Sequence, residues 1–312
     1  MTRRSRNGMT RRSRRHLQSR RHLRSRKRLS QRGAASPLTL GSVVAAMKRA
    51  FPEEEMEADE HDGEIEVSFM CMGSGDAVIH VSFTPELMYI HQVYNCPPHH
   101  TGSQILDGLI AVGRELGMPS IQLNDDSTVY YPPTELGNQA CAAKLYVIKI
   151  LTRDDHLSWY GSMGFQSVDG ESEEKAEQVA NRELAESAMR ERVLPAMAEA
   201  AKRRMIRLEQ DASRHRVTLL ENNDASIKQE RRDLRRRLNE IEEEDGVGRV
   251  SDGLDAVFPG VADLSVQDAM KYMLSHRAEW DTCDHPQVQA FLAVCRAAES
   301  LIMYQARRVL VL

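Results

Sequence analysis

"PPHHTGSQILDGLIAVGRELG", Pro97–Gly117, is the stretch whose reading decides the fold. Its second half carries apolar residues at helical spacing, from Ile105 to Val112. Gly117 is the kind of residue that occupies the left-handed position just past a helix end. Its first half is a proline pair followed by a lone glycine, Gly102. A strand that feeds such a loop into a helix start leaves several backbone N–H groups unpaired, and with the helix dipole these make an anion site. Gly102, without a Cβ, lets the backbone come close to a ligand, and Ser103 caps the helix or donates a hydroxyl. One glycine before a helix is also an ordinary way to begin one, so spacing alone leaves both readings open.

Upstream, "LTLGSVVAAMKRAF" (Leu38–Phe51) has helical spacing at Leu40, Val43, Val44 and Met47. An acidic loop, "PEEEMEADEHDG", follows it. A β meander comes next: "EIEVSFMCM" and "AVIHVSF" alternate, and "LMYIHQVYN" is the third strand, with turns at "GSGD" and "TPE". Downstream, "SIQLND" reads as a short buried strand. The order is helix, three strands, helix, strand.

Beyond this lies a Pro/Gly-containing loop, Tyr130–Gln139, then apolar "ACAAKLYVIKIL", then "HLSWYGSMGF" as a short helix ending at Gly164. From Glu171 to Glu244 the composition turns to Glu, Arg, Lys, Ala and Leu. At least two long charged helices are expected there, with breaks at Pro195 and around Asn222–Asp224. Leu220, Ile227, Leu234 and Ile241 recur every seven residues, but the matching d positions are mostly polar (Asp224, Arg231). A coiled coil and a helical hairpin with solvated faces both remain open, as does a helix-mediated oligomer. "DGVGRVSDG" reads as a linker, and residues 265–312 as two apolar helices, the first opening with the cap-like "SVQD". Four segments result: a basic arm over 1–34, a mixed domain over 35–169, a charged helical segment over 170–245 and a C-terminal helical segment over 246–312.

A length of 312 residues fits about two folded units plus tails. The net charge of −4 conceals an asymmetry. Residues 1–32 hold thirteen Arg and one Lys with no acid, leaving 28 basic residues against 46 acidic ones in the rest. The arm repeats "MTRRSR" and "SRRHL" and has too little apolar surface to bury, so it reads as disordered. It suits nucleic acid, an import receptor or an acidic partner, the acidic body included. No apolar run reaches the length of a membrane span, and the N-terminus lacks the apolar region of a secretory signal. The cysteines at 71, 96, 141, 283 and 295 are odd in number, scattered and without a CxxC pair, which argues for a reducing compartment and against a disulfide framework. The expected location is therefore intracellular, cytoplasmic or nuclear, and not secreted.

Two segments resemble the GNAT superfamily of N-acetyltransferases. "GSQILDGLIAVGRELG" is similar to that family's "GSxLLxxLxxxARxxG" helix, and "IQLND" to its fifth strand. "WYGSMGF" is similar to its Y-x-x-x-G-F segment, and "ILTRDDHLSWYGSMGF" also resembles acetyltransferase-like proteins of large DNA viruses. The resemblance covers roughly Leu38–Ser167 and implies a mixed α/β (α+β) sheet with flanking helices, followed here by an all-helical extension. It also implies acetyl-CoA as cofactor, with an amine-bearing protein or peptide as acceptor. The family's pyrophosphate loop has the pattern Q/R-x-x-G-x-G/A. With Gly102 as its last small residue, His100 replaces the first glycine and Pro97 the leading Gln/Arg. With Gly102 as the first glycine, His99 and Gln104 take the outer positions. Both registers depart from the pattern: His100 brings a Cβ and Pro97 has no N–H. The cofactor-contacting set implied is Tyr94, Asn95, His99, His100, Thr101, Gly102 and Ser103.

Acyl transfer to an amine needs a base, oxyanion donors and an acid for the leaving thiolate. Tyr160 is the candidate acid, and a packed aromatic beside Trp159 is its structural alternative. His91 and Asp125 (or Asp126) are the candidate bases. His91 titrates near neutrality without tuning but by alternation shares a face with Tyr89 and Val93, as a structural histidine also does. The Asp pair equally suits a cap or turn. A backbone N–H near Tyr94 or Asn95 is the expected oxyanion donor. "CPPHH" (Cys96–His100) and "CDH" at Cys283 each offer half a metal site, and no metal is expected from them. The family's sixth and seventh strands belong after Phe165, where this chain runs almost directly into charged helix. They are therefore expected to be missing or replaced by other segments. If the fold is kept without its chemistry, the chain is expected to be a scaffold or a nucleic-acid-associated structural (virion) protein.

Overall fold

The computed structural model describes residues 38–70, 77–93, 101–133, 138–220, 224–243 and 246–312. Four expected cofactor contacts, Tyr94, Asn95, His99 and His100, lie outside the described residues. So do the basic arm, Cys71 and Cys96. The chain divides into two compact units, Met1–Ile121 with Val311–Leu312, and Gln122–Leu310. The fold is mixed α/β with a helical C-terminal part. Its larger sheet has the order β1-β2-β3-β4-β5-β9-β8, and the division falls inside β5.

In the first unit, α1 (Leu40–Ala50) starts at Thr39, whose hydroxyl accepts from the Ser42 amide. The antiparallel strands β1 (Met56–His61), β2 (Glu64–Met70), β3 (Ala77–Thr84) and β4 (Leu87–Val93) follow. The acidic stretch expected to be a loop is corrected in part, because β1 pairs with β2 from Met56↔Phe69 to His61↔Glu64. Met56 and Ala58 are half-buried while Glu57 and Asp59 are exposed. That alternation makes a half-buried strand, and outward charge suits a strand at a sheet edge. Period-2 patterning sends Ile65, Val67, Phe69, Ile79, Val81, Phe83, Met88 and Ile90 to one buried face. Helix α2 (Gly102–Glu115) and α1 close on this core and pack together. Gly108 makes their approach possible: a Cβ there would stand 2.6 Å from the Phe51 ring. At the end of α2, Gly117 takes φ +69°, and Met118 N–H and Gly117 N–H donate to Gly113 and Arg114 carbonyls. This is a Schellman stop, which needs a left-handed residue at that point.

The second unit takes up β5 (Ser120–Asn124) at Gln122 and continues with the two-stranded pair β6 (Thr128–Tyr130) and β7 (Ala142–Lys144). Helix α3 (Leu145–Thr152), a 3₁₀ turn at Gly161–Met163 and the short strand β8 (Gln166–Ser167) follow. Then come α4 (Glu171–Glu186), α5 (Val193–Leu219), α6 (Asp224–Glu243), α7 (Gly246–Val257), α8 (Val266–Ser275), α9 (Pro286–Glu299) and β9 (Arg307–Val311). The break expected at Pro195 falls earlier, at 187–192. Pro195 sits in the first turn of α5, where its missing N–H has no helical acceptor to lose. Residues 246–257 are helix rather than linker: Ser251 and Leu254 are buried against the core, and that packing overrides three glycines. Helices α5 and α6 form an antiparallel hairpin, in which Arg216 pairs with Glu230 and Arg237 with Glu209. The seven-residue repeat begins at Leu220, the cap of α5, and runs only along α6. Ser265 caps α8 as expected, accepting from the Asp268 amide at 3.1 Å.

After Phe165 the chain makes only the two-residue β8 before α4, close to the expected passage into charged helix, and the strand beside β8 comes from another segment. β8 pairs antiparallel with β9, Gln166↔Val309 and Ser167↔Arg308, and the partner strand arrives only after helices α4 to α9. Those helices bury Leu184, Met189, Phe258, Met270, Met273, Phe291 and Leu292 with Val147 and Leu151 of α3. The reading that left these cysteines reduced is also corrected: Cys141 and Cys283 form a disulfide, with Cα atoms 5.5 Å apart, and Cys295 is free and buried. Their separation of 142 residues kept the pairing out of sight in the sequence. Among the described residues, no helix is long and apolar enough to cross a membrane.

Candidate functional site

In the first unit, the start of α2 is the expected phosphate cradle. Thr101 is its N-cap in the extended conformation, and its hydroxyl accepts from the Gln104 amide at 3.3 Å. The Gln104 side chain reaches back and accepts from Thr101 N–H at 2.8 Å. This reciprocal capping box satisfies two of the N–H groups that a pyrophosphate would take. Ser103 is exposed and Gly102 half-buried at the same helix start.

His91, also in the first unit, is the extra residue of a β-bulge, because Val81 pairs with Ile90 and His80 with Gln92. Its ring lies outside the core, on the face opposite Met88 and Ile90. There it stacks on His80 with centroids 4.5 Å apart, meets Tyr89 at 4.7 Å, and exchanges a 3.0 Å hydrogen bond with Ser82. Partial burial, then the neighbouring His80, lower its pKa, so the ring is neutral at physiological pH and holds a free lone pair or a ring N–H according to tautomer. Among the described residues no group of three His, Cys, Asp or Glu is placed to hold a metal ion. Cys283, from the "CDH" segment, is engaged in the disulfide.

The second unit brings Tyr160 and Asp125 into one buried polar chain. Tyr160 is 6% exposed, tilted against Trp159 and edge-on to Phe165. Its hydroxyl shares a hydrogen bond with the Ser127 side chain, and burial pushes its pKa up to about 12. Ser127 N–H also donates to Asp125 at 3.3 Å. Asp125 is 2% exposed and accepts from the Tyr304 hydroxyl as well. Burial raises the Asp125 carboxyl above its ordinary range, against the pull of the Tyr304 and Ser127 hydrogen bonds and of Arg308. Tyr304 in turn hydrogen-bonds Ser158, stacks on Tyr146 at 4.3 Å, and lies under the Arg308 guanidinium at 4.2 Å. Asp126, the alternative base, is exposed and paired with Lys144.

Arg308 anchors this chain to α4. It donates to Glu174 at 2.5 Å and to Glu177 at 2.7 Å, all three side chains being almost wholly buried. Glu174 also accepts from Ser167 N–H, Glu177 from Gln305 N–H, and Asn181 holds both backbone groups of Met303. The positions 174, 177 and 181 recur at 3 and 4, so one face of α4 aims its polar groups at the strand β9 and its approach. Sequence reasoning passed over Tyr304, Arg308, Glu174 and Glu177. The only trace was an acid pair at helical spacing inside a segment rich in acids, which composition assigns to solvent.

A neutral tyrosine hydroxyl, hydrogen-bonded and buried, can donate a hydrogen bond to an anion formed beside it, although burial makes it a weaker acid than a free phenol. Thus Tyr160 and Asp125 are brought together through Ser127, whereas His91 and Thr101–Ser103 belong to the other unit. Comparison with known proteins finds no matching family model, no curated relative and no solved structure.

Proposed function

We propose that the chain is an acyl-CoA-dependent N-acyltransferase of GNAT type, using acetyl-CoA and an amine on a protein or peptide, with Tyr160 as the group that protonates the leaving thiolate. The observation that carries this reading is the buried Tyr160 hydroxyl, linked through Ser127 to the buried Asp125 carboxyl. The placement of β8 directly after "WYGSMGF", and of β9 as its partner, supports it by supplying strands where the family's sixth and seventh belong. Acetyl-CoA, when bound, supplies the thioester. In the resemblance the pyrophosphate belongs at the start of α2, where Gln104 holds the Thr101 amide. The test is turnover of acetyl-CoA with a lysine-containing peptide mixture. Tyr160→Phe should lower kcat ~10²-fold with little change in KM, as removal of an acid does. Unchanged kcat removes Tyr160 from the reaction.

A second reading, a fold kept as a scaffold without acyl transfer, is favoured by one observation. The capping box already occupies two donors at the start of α2.

A further inference from the structure

The hairpin of α5 and α6 sorts its charges by face. Toward α5, helix α6 presents Ile227, Leu234, Leu238 and Ile241, all half-buried, with Glu230 and Arg237 among them. Glu230 is taken by Arg216 at 2.8 Å and by Arg237 at 3.2 Å, and Glu209 of α5 by Arg237 at 2.8 Å. Asp233 holds Gln229 and Arg236. The acids within reach are therefore used inside the hairpin. The outward face of α6 then carries Lys228, Arg231, Arg232 and Arg235, all exposed and without an ion pair among the described residues. Their spacing of 3, 4 and 7 puts them on one side of the helix over about 10 Å. The stripe stops at Asp224 on one side and Glu240 on the other.

We infer that this face of α6 is a nucleic-acid contact that grips the phosphate backbone. A duplex presents about six phosphate charges over such a length, so each of the four cations has a phosphate within reach along it. Three of the four are arginine, whose planar fork suits phosphate oxygens. Asn239, the next residue on that face, is polar, and among the described residues no apolar or aromatic side chain stands there to enter a lipid surface or anchor a protein partner. Contact limited to phosphates carries no sequence readout, so the grip is independent of base sequence. This inference does not rest on the acyltransferase reading.

The test uses the full chain and a fluorescein-labelled 24-base-pair duplex of arbitrary sequence, with anisotropy titrations between 50 and 200 mM KCl. Changing Lys228, Arg231, Arg232 and Arg235 together to Gln should flatten the slope of log affinity against log salt by about 3 to 4. Across that salt range the loss is then about 10²-fold smaller than in the parent chain. Glutamine is a good helix former, so helix content by circular dichroism should be unchanged. The three arginines changed to Lys should keep the parental slope, because charge is kept. A slope that the Gln variant leaves unchanged overturns the inference, as does a slope lost in the Lys variant. Binding to polyglutamate or to vesicles of 30% phosphatidylserine that depends on these four residues, while duplex binding does not, overturns it too.

Discussion

Replacing Arg308 by methionine should be among the most destabilising single changes in the second unit. Arg308 is 1% exposed and makes two charge-assisted hydrogen bonds, at 2.5 and 2.7 Å, to Glu174 and Glu177. Methionine fills similar volume but leaves both carboxylates in the interior without a cation. Removing one partner of a buried ionic pair costs about 3–5 kcal/mol. Losing the guanidinium over the Tyr304 ring at 4.2 Å adds up to about 2 kcal/mol. Against this, Arg308 Nε has no hydrogen-bond partner in the native fold, and its removal returns part of the loss. The expected net is about 3–5 kcal/mol. Both tryptophans, Trp159 and Trp280, lie in this unit, so urea unfolding followed by tryptophan fluorescence reports on it selectively. Glu174→Gln and Glu177→Gln, added to Arg308→Met, should restore most of the lost stability, since neutral amides need no counter-charge. A loss below about 1 kcal/mol, or a further loss on adding the two glutamines, refutes the assignment of Arg308 as the cation that neutralises α4.

The same network sets a pH dependence. Burial holds the Glu177 carboxyl above its ordinary value despite Arg308, so the folded chain binds that proton more tightly than the unfolded one. Its contribution is then greatest at low pH and falls as pH rises from the ordinary glutamate range through the raised value; Glu177→Gln should remove that fall in a stability-against-pH series. Reducing the Cys141–Cys283 bond reopens a span of 142 residues, and dithiothreitol should lower stability by about 2–5 kcal/mol in the parent while leaving the Cys141→Ser, Cys283→Ser variant unaffected. Gln104→Ala frees the Thr101 amide and costs the α2 start about 1 kcal/mol, but should tighten acetyl-CoA binding two- to five-fold if that amide receives the pyrophosphate; unchanged or weaker binding moves the ligand elsewhere.

The elements with strong local signals were readable from the sequence. α1, α2 and the strands β2 to β5 follow from periodicity and from the turn residues between them, and Gly117 marked the end of α2 correctly. β1 was missed because its acids dominated a composition reading, while Met56 and Ala58 carried the strand's inner face. β9 was missed because its partner β8 lies some 140 residues earlier, and no local pattern announces so distant a pairing. The polar chain was half legible. Tyr160 and Asp125 were named, but Tyr304 and Arg308 come from the C-terminal end, beyond the reach of any spacing rule. The disulfide escaped for the same reason. What the amino acids encode locally was visible, and what depends on long-range closure was not.

The central claim is that this fold takes up acyl-CoA, and calorimetric titration of acetyl-CoA into the full chain tests it most directly. The account predicts saturable one-to-one binding with a rise in the thermal midpoint, since a ligand held only by the folded state stabilises it. It also predicts that Tyr160→Phe binds with the parental affinity but turns over slowly. No heat of binding and no thermal shift at millimolar acetyl-CoA would contradict the account and leave the scaffold reading in its place.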